Sequence, residues 1–287
     1  MSETPRLSIV TTSYNQAPFL EQTLRSISEQ GLPDLQHIVI DGASTDGSVD
    51  ILRRFGGSLA YWVSERDRGQ VHALNKGLER ATGELFAFIN SDDLLLPGAL
   101  SAVVERFERD PSLEWLCGDV VMFGEGHPTE LIEARVPKDA AHCLAWAYKA
   151  PQPGHFWRRR LLVDGFDERW QYDFDHDLYV RLLLQGHRCE HIPLPVAAYR
   201  LHPASKTVAE AARMDGEFDR VAEVYEPQLG FHGRRWSKAT RYLRQSWAAA
   251  EIGEKRRARA LVLRAALLHP EGVFRRSFWG CARRLFH

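Results

Sequence analysis

The segment Phe86–Leu100 reads FAFINSDDLLLPGAL. It opens as an apolar, β-prone run and turns apolar again after Pro97, a residue suited to a first helical turn. Between the two lie adjacent carboxylates, Asp92 and Asp93. Two anions at the end of a buried strand would repel unless a cation or hydrogen-bond donors compensate. A strand that feeds a helix through a polar turn is the unit of an α/β sheet, and such sheets bind ligands at the carboxyl ends of their strands.

The same unit repeats on both sides. RLSIVTT predicts a strand, followed by a helix from about Gln16 to Gln30 with Asn15 as its cap, Pro18 in its first turn and Gly31 closing it. QHIVIDG and LAYWVSE predict two more strands, STDGSVDILRRF and GQVHALNKGLERATG two more helices, and EWLCGDVVMF a further strand after PGALSAVVERFERD. Ser44 and Asp46 are placed to cap a helix, and Asn75 and Gly77 to pack one closely on the sheet. From Gly124 to Trp170 no period stands out. DFDHDLYVRLLLQG then reads as a helix, HRCEHIPLPVAAYRLHPASKT as a strand and loop, and everything from Val208 as helices, two of them hinged at Gly253. The expected fold is α/β: a Rossmann-like, mostly parallel sheet flanked by helices over residues 1–207, with a helical extension over 208–287.

The chain has 287 residues and a net charge of −1, so its overall balance selects no partner. The distribution is uneven. From Phe231 onward there are 14 Lys and Arg against 3 Asp and Glu. A basic tail holding VFRRSFWGCARRLFH suits either a solvated helical cap or contact with anionic membrane lipid. No nucleic-acid motif accompanies the charge, and no nucleic-acid partner is expected. Cys117, Cys143, Cys189 and Cys281 show no metal spacing, which suits reduced thiols. MSETPRLSIV lacks the pattern of a secretory signal, and no run approaches eighteen uncharged apolar residues. The expected location is the cytoplasm, including the inner face of the membrane.

Five segments occur in a set order: VTTSYNQAPFLEQTLRSI, IVIDGASTDGS, DRGQVHALNKGLERATGELFAFINSDD, FDERWQYDFDHDLYVRL and YRLHPASKT. Together, over about residues 6 to 205, they resemble the inverting family-two glycosyltransferases of the nucleotide-diphospho-sugar (GT-A) fold, within them the bacterial enzymes that build surface polysaccharides. The resemblance implies that Thr11, Ser13 and Tyr14 line a nucleotide pocket, that Asp41 meets the base, and that Asp67 and Lys76 lie near ribose and diphosphate. It implies a divalent metal, Mn²⁺ or Mg²⁺, with Asp93 as direct ligand, Asp92 at the ribose or the metal shell, and His202 completing the shell. Ser205 and Lys206 would meet the diphosphate. It implies a catalytic base at Asp175, although Phe174 stands where relatives often carry a second acid, which leaves Asp173 and Asp177 as rivals. Asp177 is also placed to pair with Arg181 and Asp173 to cap the helix. Gln152 and His155 are the acceptor candidates, and Trp157 fits the core as well as a sugar.

The chemistry expected is direct displacement at the anomeric carbon, with one carboxylate taking the acceptor proton and a metal offsetting the leaving diphosphate. The expected donor is a nucleoside-diphosphate sugar, UDP before GDP or dTDP, and the acceptor a saccharide or lipid-linked hydroxyl of the cell envelope. Two other classes are weighed: a sugar-nucleotide nucleotidyltransferase, whose Gly-rich N-terminal loop IVTTSYNQAPF lacks, and a non-catalytic sugar-nucleotide-binding module.

Overall fold

The computed structural model describes residues 6–271. The stretch VFRRSFWGCARRLFH and Cys281 lie outside the described residues. Nine strands form one sheet: β1 (Leu7–Ser13), β2 (Leu35–Asp41), β3 (Tyr61–Ser64), β4 (Leu85–Phe88), β5 (Leu94–Leu95), β6 (Trp115–Gly124), β7 (His127–Ile132), β8 (His155–Arg158) and β9 (Cys189–Leu201). Their spatial order is β3-β2-β1-β4-β8-β6-β9-β5, with β7 on β6. β1 to β4, β6 and β9 run in one sense, while β5, β7 and β8 oppose them, so the sheet is mostly parallel as expected.

The first four strands are apolar on both faces because helices cover them. α1 (Ala17–Ser28), α2 (Ser48–Phe55), α3 (Gln70–Arg80) and α4 (Ala99–Arg109) each turn one apolar stripe inward. Val71 and Leu74 of α3 join Val10, Ile40 and Phe88 in the larger core, and Val103 and Phe107 of α4 join Ile9 and Ala87 in the second. Gly77 permits the close approach of α3, since a Cβ there would lie 2.4 Å from Val10 Cγ1. Asn75 ties the same helix to the loop beyond β8, giving Nδ2–H to Phe166 O at 2.8 Å and accepting from Phe166 N at 2.9 Å.

Asn15 does not cap α1. Its φ of 52° turns the backbone left-handed, and its side-chain oxygen accepts instead from Thr45 N at 2.9 Å. The first amide of α1, Ala17 N, goes to Asp46 Oδ2 at 2.8 Å, while Asp46 Oδ1 accepts from Ser48 N at 3.0 Å. One carboxylate thus closes the starts of two helices. β8 is the strand hidden in the irregular region. It inserts HFWR, fully buried, between β4 and β6, with Trp157 stacked on Phe88. β9 absorbs Pro193 and Pro195 by register shifts against Gly118 and Asp119 of β6, which is how a strand tolerates two missing donors.

α5 (Ala140–Leu144) and α6 (Phe174–Leu184) cover the far half of the sheet. α7 (Lys206–Ala209), α8 (Ala211–Tyr225), α9 (Phe231–Glu251) and α10 (Lys255–Leu268) follow, with α9 and α10 hinged at Gly253 (φ 82°). The expected boundary at 207 falls inside α7. Val221, Ala222, Tyr225 and Leu229 join the larger core beside Tyr179 and Trp157, so α8 packs directly on the sheet domain.

Gly77→Ala is expected to destabilise the protein by about 1–3 kcal/mol through overpacking, and Val10→Ala in the same chain to recover part of the loss relative to the two single changes added together. A double-mutant cycle on thermal or denaturant unfolding checks it.

Candidate functional site

The carboxyl ends of β1, β2 and β4 open into a cavity of about 820 Å³. Thr12, Ser13 and Tyr14 form one wall, Gly42, Arg66 and Asp67 a second, and Asn90 and Asp92 the floor, while Tyr199 and Ala204 to Thr207 close the far side. Tyr14 is 65% exposed and presents a free aromatic face at the rim. Gly42 is required there: a Cβ would meet Asp67 Oδ2 at 2.8 Å and the Tyr14 ring at 3.3 Å. Asp67 holds the turn into α3 by accepting from Gly69 N at 2.8 Å.

Thr11 and Asp41 lie behind this wall. Thr11 is buried with its hydroxyl 3.0 Å from His37 Nε2, and burial lowers His37 to a pKa of about 3. Asp41 is fully buried. It accepts from Ser44 N (2.9 Å), Ser44 Oγ (2.5 Å) and Ser64 Oγ (2.6 Å), and so shapes the Gly42–Ala43 loop that does face the cavity. Lys76 does not line the cavity: its ammonium pairs with Glu65, just beyond β3. The cations on the wall are Arg66 and Lys206. Lys206 Nζ donates to Gln70 Oε1 at 2.9 Å and Gln171 O at 3.0 Å, and burial lowers its pKa.

The adjacent carboxylates divide. Asp92 faces the cavity with Oδ2 3.1 Å from His202 Nε2. Asp93 points the other way and is fully buried, accepting from Arg200 N at 3.0 Å and Asn90 Nδ2 at 3.2 Å. Burial, and next the charge of Asp92, raise the Asp93 pKa well above the carboxylate range. Asp93, expected as the direct metal ligand, is thus engaged in the turn, while Asp92 and His202 bring a carboxylate oxygen and an imidazole nitrogen side by side. Among the described residues no three His, Cys, Asp or Glu side chains form a metal cluster, so protein donors alone do not close a coordination shell.

The three acids at the start of α6 also separate. Asp177 is fully buried and saturated by Trp170 Nε1 (2.9 Å), Tyr225 OH (2.7 Å) and Arg181 Nε (2.8 Å), a structural role. Asp173 stands at the N-cap position but accepts no capping bond, its Oδ2 has no partner, and burial followed by the charges of Asp175 and Glu217 raises its pKa to about 8. Asp175 is partly exposed in the first turn of α6, accepts from His176 N at 2.8 Å, and is raised by burial to about 6. Tyr199 lines the cavity. Its phenol, bonded to Thr207 Oγ1, is pushed up to about 12 by burial and then by Asp93, Asp92 and Asp175.

Gln152 and His155 do not reach the cavity wall. Gln152 braces the end of β4, donating to Phe88 O at 2.9 Å and accepting from Asn90 Nδ2 at 3.3 Å. His155 is fully buried, bridging Trp115 Nε1 (2.8 Å) and Ala150 O (3.1 Å) and stacked on Tyr179. Trp157 is likewise core. Both acceptor candidates thus lie off this cavity, in contacts that brace β4 and the core. Sequence reasoning missed Gln70, Gln171 and Tyr199 as wall residues: Gln70 starts α3, Gln171 sits on a loop without period, and Tyr199 lies near the end of β9, whose two prolines break the strand period.

A family model described as glycosyl transferase family 2 matches residues 8–165. An uncharacterised glycosyltransferase of Mycobacterium tuberculosis is 28% identical over 251 residues, 85% of this chain and 92% of its own. Among solved structures, Staphylococcus aureus TarS superposes with a TM-score of 0.63 at 18% identity, over 83% of this chain but only 43% of the TarS chain. Its 1–349 fragment, solved with UDP-GlcNAc, gives a TM-score of 0.58 at 16% identity over 89% of this chain and 88% of the fragment. A mannosyltransferase of Pyrobaculum calidifontis, solved with GDP-Man and Mn²⁺, gives 0.55 at 23% identity over 99% of this chain and 88% of its own.

Asp93→Ala leaves the buried Arg200 amide without an acceptor and is expected to cost about 1–3 kcal/mol of stability. Asp92→Ala, at the open wall, is expected to change stability by less than about 0.5 kcal/mol. Denaturant unfolding of the two variants checks the division.

Proposed function

This chain belongs to glycosyl transferase family 2 and is a glycosyltransferase, and from that premise we propose that it moves a sugar, with inversion, from a nucleoside-diphosphate sugar to a saccharide or lipid-linked hydroxyl in cell-envelope polysaccharide synthesis. The observation that carries this reading is the set of groups lining one cavity: aromatic Tyr14 at the rim, Asp67, the cations Arg66 and Lys206, and Asp92 with His202 Nε2 3.1 Å from its carboxylate. The nucleoside lies along Ser13, Tyr14 and Asp67, and the diphosphate between Lys206 and Asp92. UDP is the first donor to test and GDP the second, in keeping with the ligands of the two structural neighbours.

Asp92 and His202 would hold a divalent cation. One carboxylate oxygen and one imidazole nitrogen suit Mn²⁺ or Mg²⁺, with the remaining positions left to the donor diphosphate. Such a cation offsets charge on the leaving diphosphate. Lys206 adds a point charge at the cavity wall. Asp175 takes the proton from the acceptor hydroxyl as the oxygen reaches the anomeric carbon, which needs no covalent enzyme intermediate. A pKa near 6 keeps this carboxylate ionised at neutral pH while making it more basic than an exposed Asp.

Residence at the inner face of the cytoplasmic membrane belongs to the same reading. Among the described residues no helix is long and apolar enough to cross a membrane. α10 instead exposes Leu263 (64%) and Leu267 (78%) beside the exposed Arg256 and Arg264, an apolar and basic face suited to anionic lipid.

A panel of UDP-, GDP- and dTDP-sugars with Mn²⁺ or Mg²⁺ is expected to yield nucleoside diphosphate with one donor class. Pyrophosphate release points instead to nucleotidyl transfer, and neither product to a binding module. Asp175→Asn is expected to lower kcat by about 10²- to 10⁴-fold. Since the base works ionised, wild-type turnover should rise with pH through about 6 and flatten above it; a flat profile from pH 5 to 8 sinks the assignment. In co-sedimentation, the protein should pellet with phosphatidylglycerol vesicles and release in high salt, and Leu263→Ser with Leu267→Ser should weaken the binding. Equal binding to neutral vesicles counts against the lipid contact.

A further inference from the structure

α6 carries the base in its first turn, yet no side chain of its own caps it. The cap comes from α8. Glu217, 2% exposed, accepts from Tyr172 N at 2.6 Å and from Asp173 N at 2.9 Å, both through Oε2. Its other oxygen takes Arg220 at 3.2 Å. Amides at and just before a helix start have no partner within the helix, and a carboxylate there satisfies them while complementing the helix dipole. The loop so held has two further duties. Gln171 lines the cavity, and its carbonyl accepts from Lys206 Nζ at 3.0 Å. The turn that aims Asp175 and the strut under Lys206 are therefore fixed by one buried carboxylate about forty residues downstream.

We propose that Glu217 is a positioning residue for glycosyl transfer, holding residues 171–173 so that Asp175 and Lys206 keep their places, and that α8 is for this reason part of the catalytic unit. The proposal rests on Asp175 as the base. Glu217 touches neither donor nor acceptor. Its removal should lower kcat by letting the loop wander, and should leave donor capture at Tyr14 and Asp67 nearly unchanged.

The test is amide hydrogen exchange across residues 170–177, with kinetics on the donor that turns over. In the wild-type protein the Tyr172 and Asp173 amides should be protected despite lying outside the helical ladder; free exchange there overturns the proposal before any variant is made. Glu217→Met keeps the volume and removes the acceptor. It should speed exchange of those two amides at least about tenfold and lower kcat about 10- to 100-fold, with donor KM rising by a smaller factor than kcat falls. Glu217→Gln keeps an oxygen for both amides and should restore kcat to within about threefold of wild type. Fast exchange with normal kcat, or a Gln variant as impaired as Met, overturns positioning and leaves a purely structural cap. Asp175→Asn is assayed in parallel: if it turns over normally, the base assignment fails by itself, and the exchange data still report on the cap.

Discussion

The buried carboxylate of Asp93 holds together parts of the chain more than a hundred residues apart. It receives the amide of Arg200 and the side chain of Asn90, and so joins the turn after β4 to the end of β9. Around it, β5 pairs with β9, Thr23 Oγ1 reaches the carbonyls of Ser91 (2.9 Å) and Asp93 (2.8 Å), and Arg200 Nε reaches Asp92 O at 2.8 Å. The Thr23 bonds are buried and the others half-buried, so losing them leaves polar groups poorly compensated. Asp92 and His202 meet at the cavity only because this neighbouring junction is closed. Two anions stand side by side because one is spent on the fold and the other is offered to the ligand.

The same division recurs at the start of α6. Asp177 is locked by three donors, Asp173 is buried with an oxygen unpaired, and Asp175 alone combines partial exposure with a raised pKa near 6. Desolvation is the leading cause of the upward shift at both Asp173 and Asp175, so the protein sets their basicity mainly through packing. A carboxylate raised in this way destabilises the folded state as it ionises, and α8 is packed across the loop that bears the strain.

Much of this was legible in the sequence wherever a residue's role follows from a period. The strands β1 to β4 announce themselves by apolar runs, α3 and α4 by their stripes, and the Asp177–Arg181 pair by its spacing of four. The adjacent acids were not separable, because on a turn neither the strand nor the helix period says which side chain faces inward; the metal role at Asp93 rests on the family resemblance alone. The family resemblance places Lys76 near the phosphates, and its ammonium pairs instead with Glu65. Gln152 and His155 lie in the region without period, where the four-residue β8 was hidden and buries what looked like an acceptor edge. Glu217 gave no local signal, since a cap supplied from another helix leaves no mark near the helix it serves.

The last wall of the cavity, Ala204 to Thr207, follows directly on β9, and β9 enters the sheet between β6 and β5. A chain emerging from the ribosome can lay down β1 to β4 early, with Tyr14 and Asp67 already in place. The wall from Ala204 to Thr207 does not exist until some two hundred residues have been made, and the hold on the start of α6 waits for α8. The two sides of the cavity thus mature at different moments of synthesis.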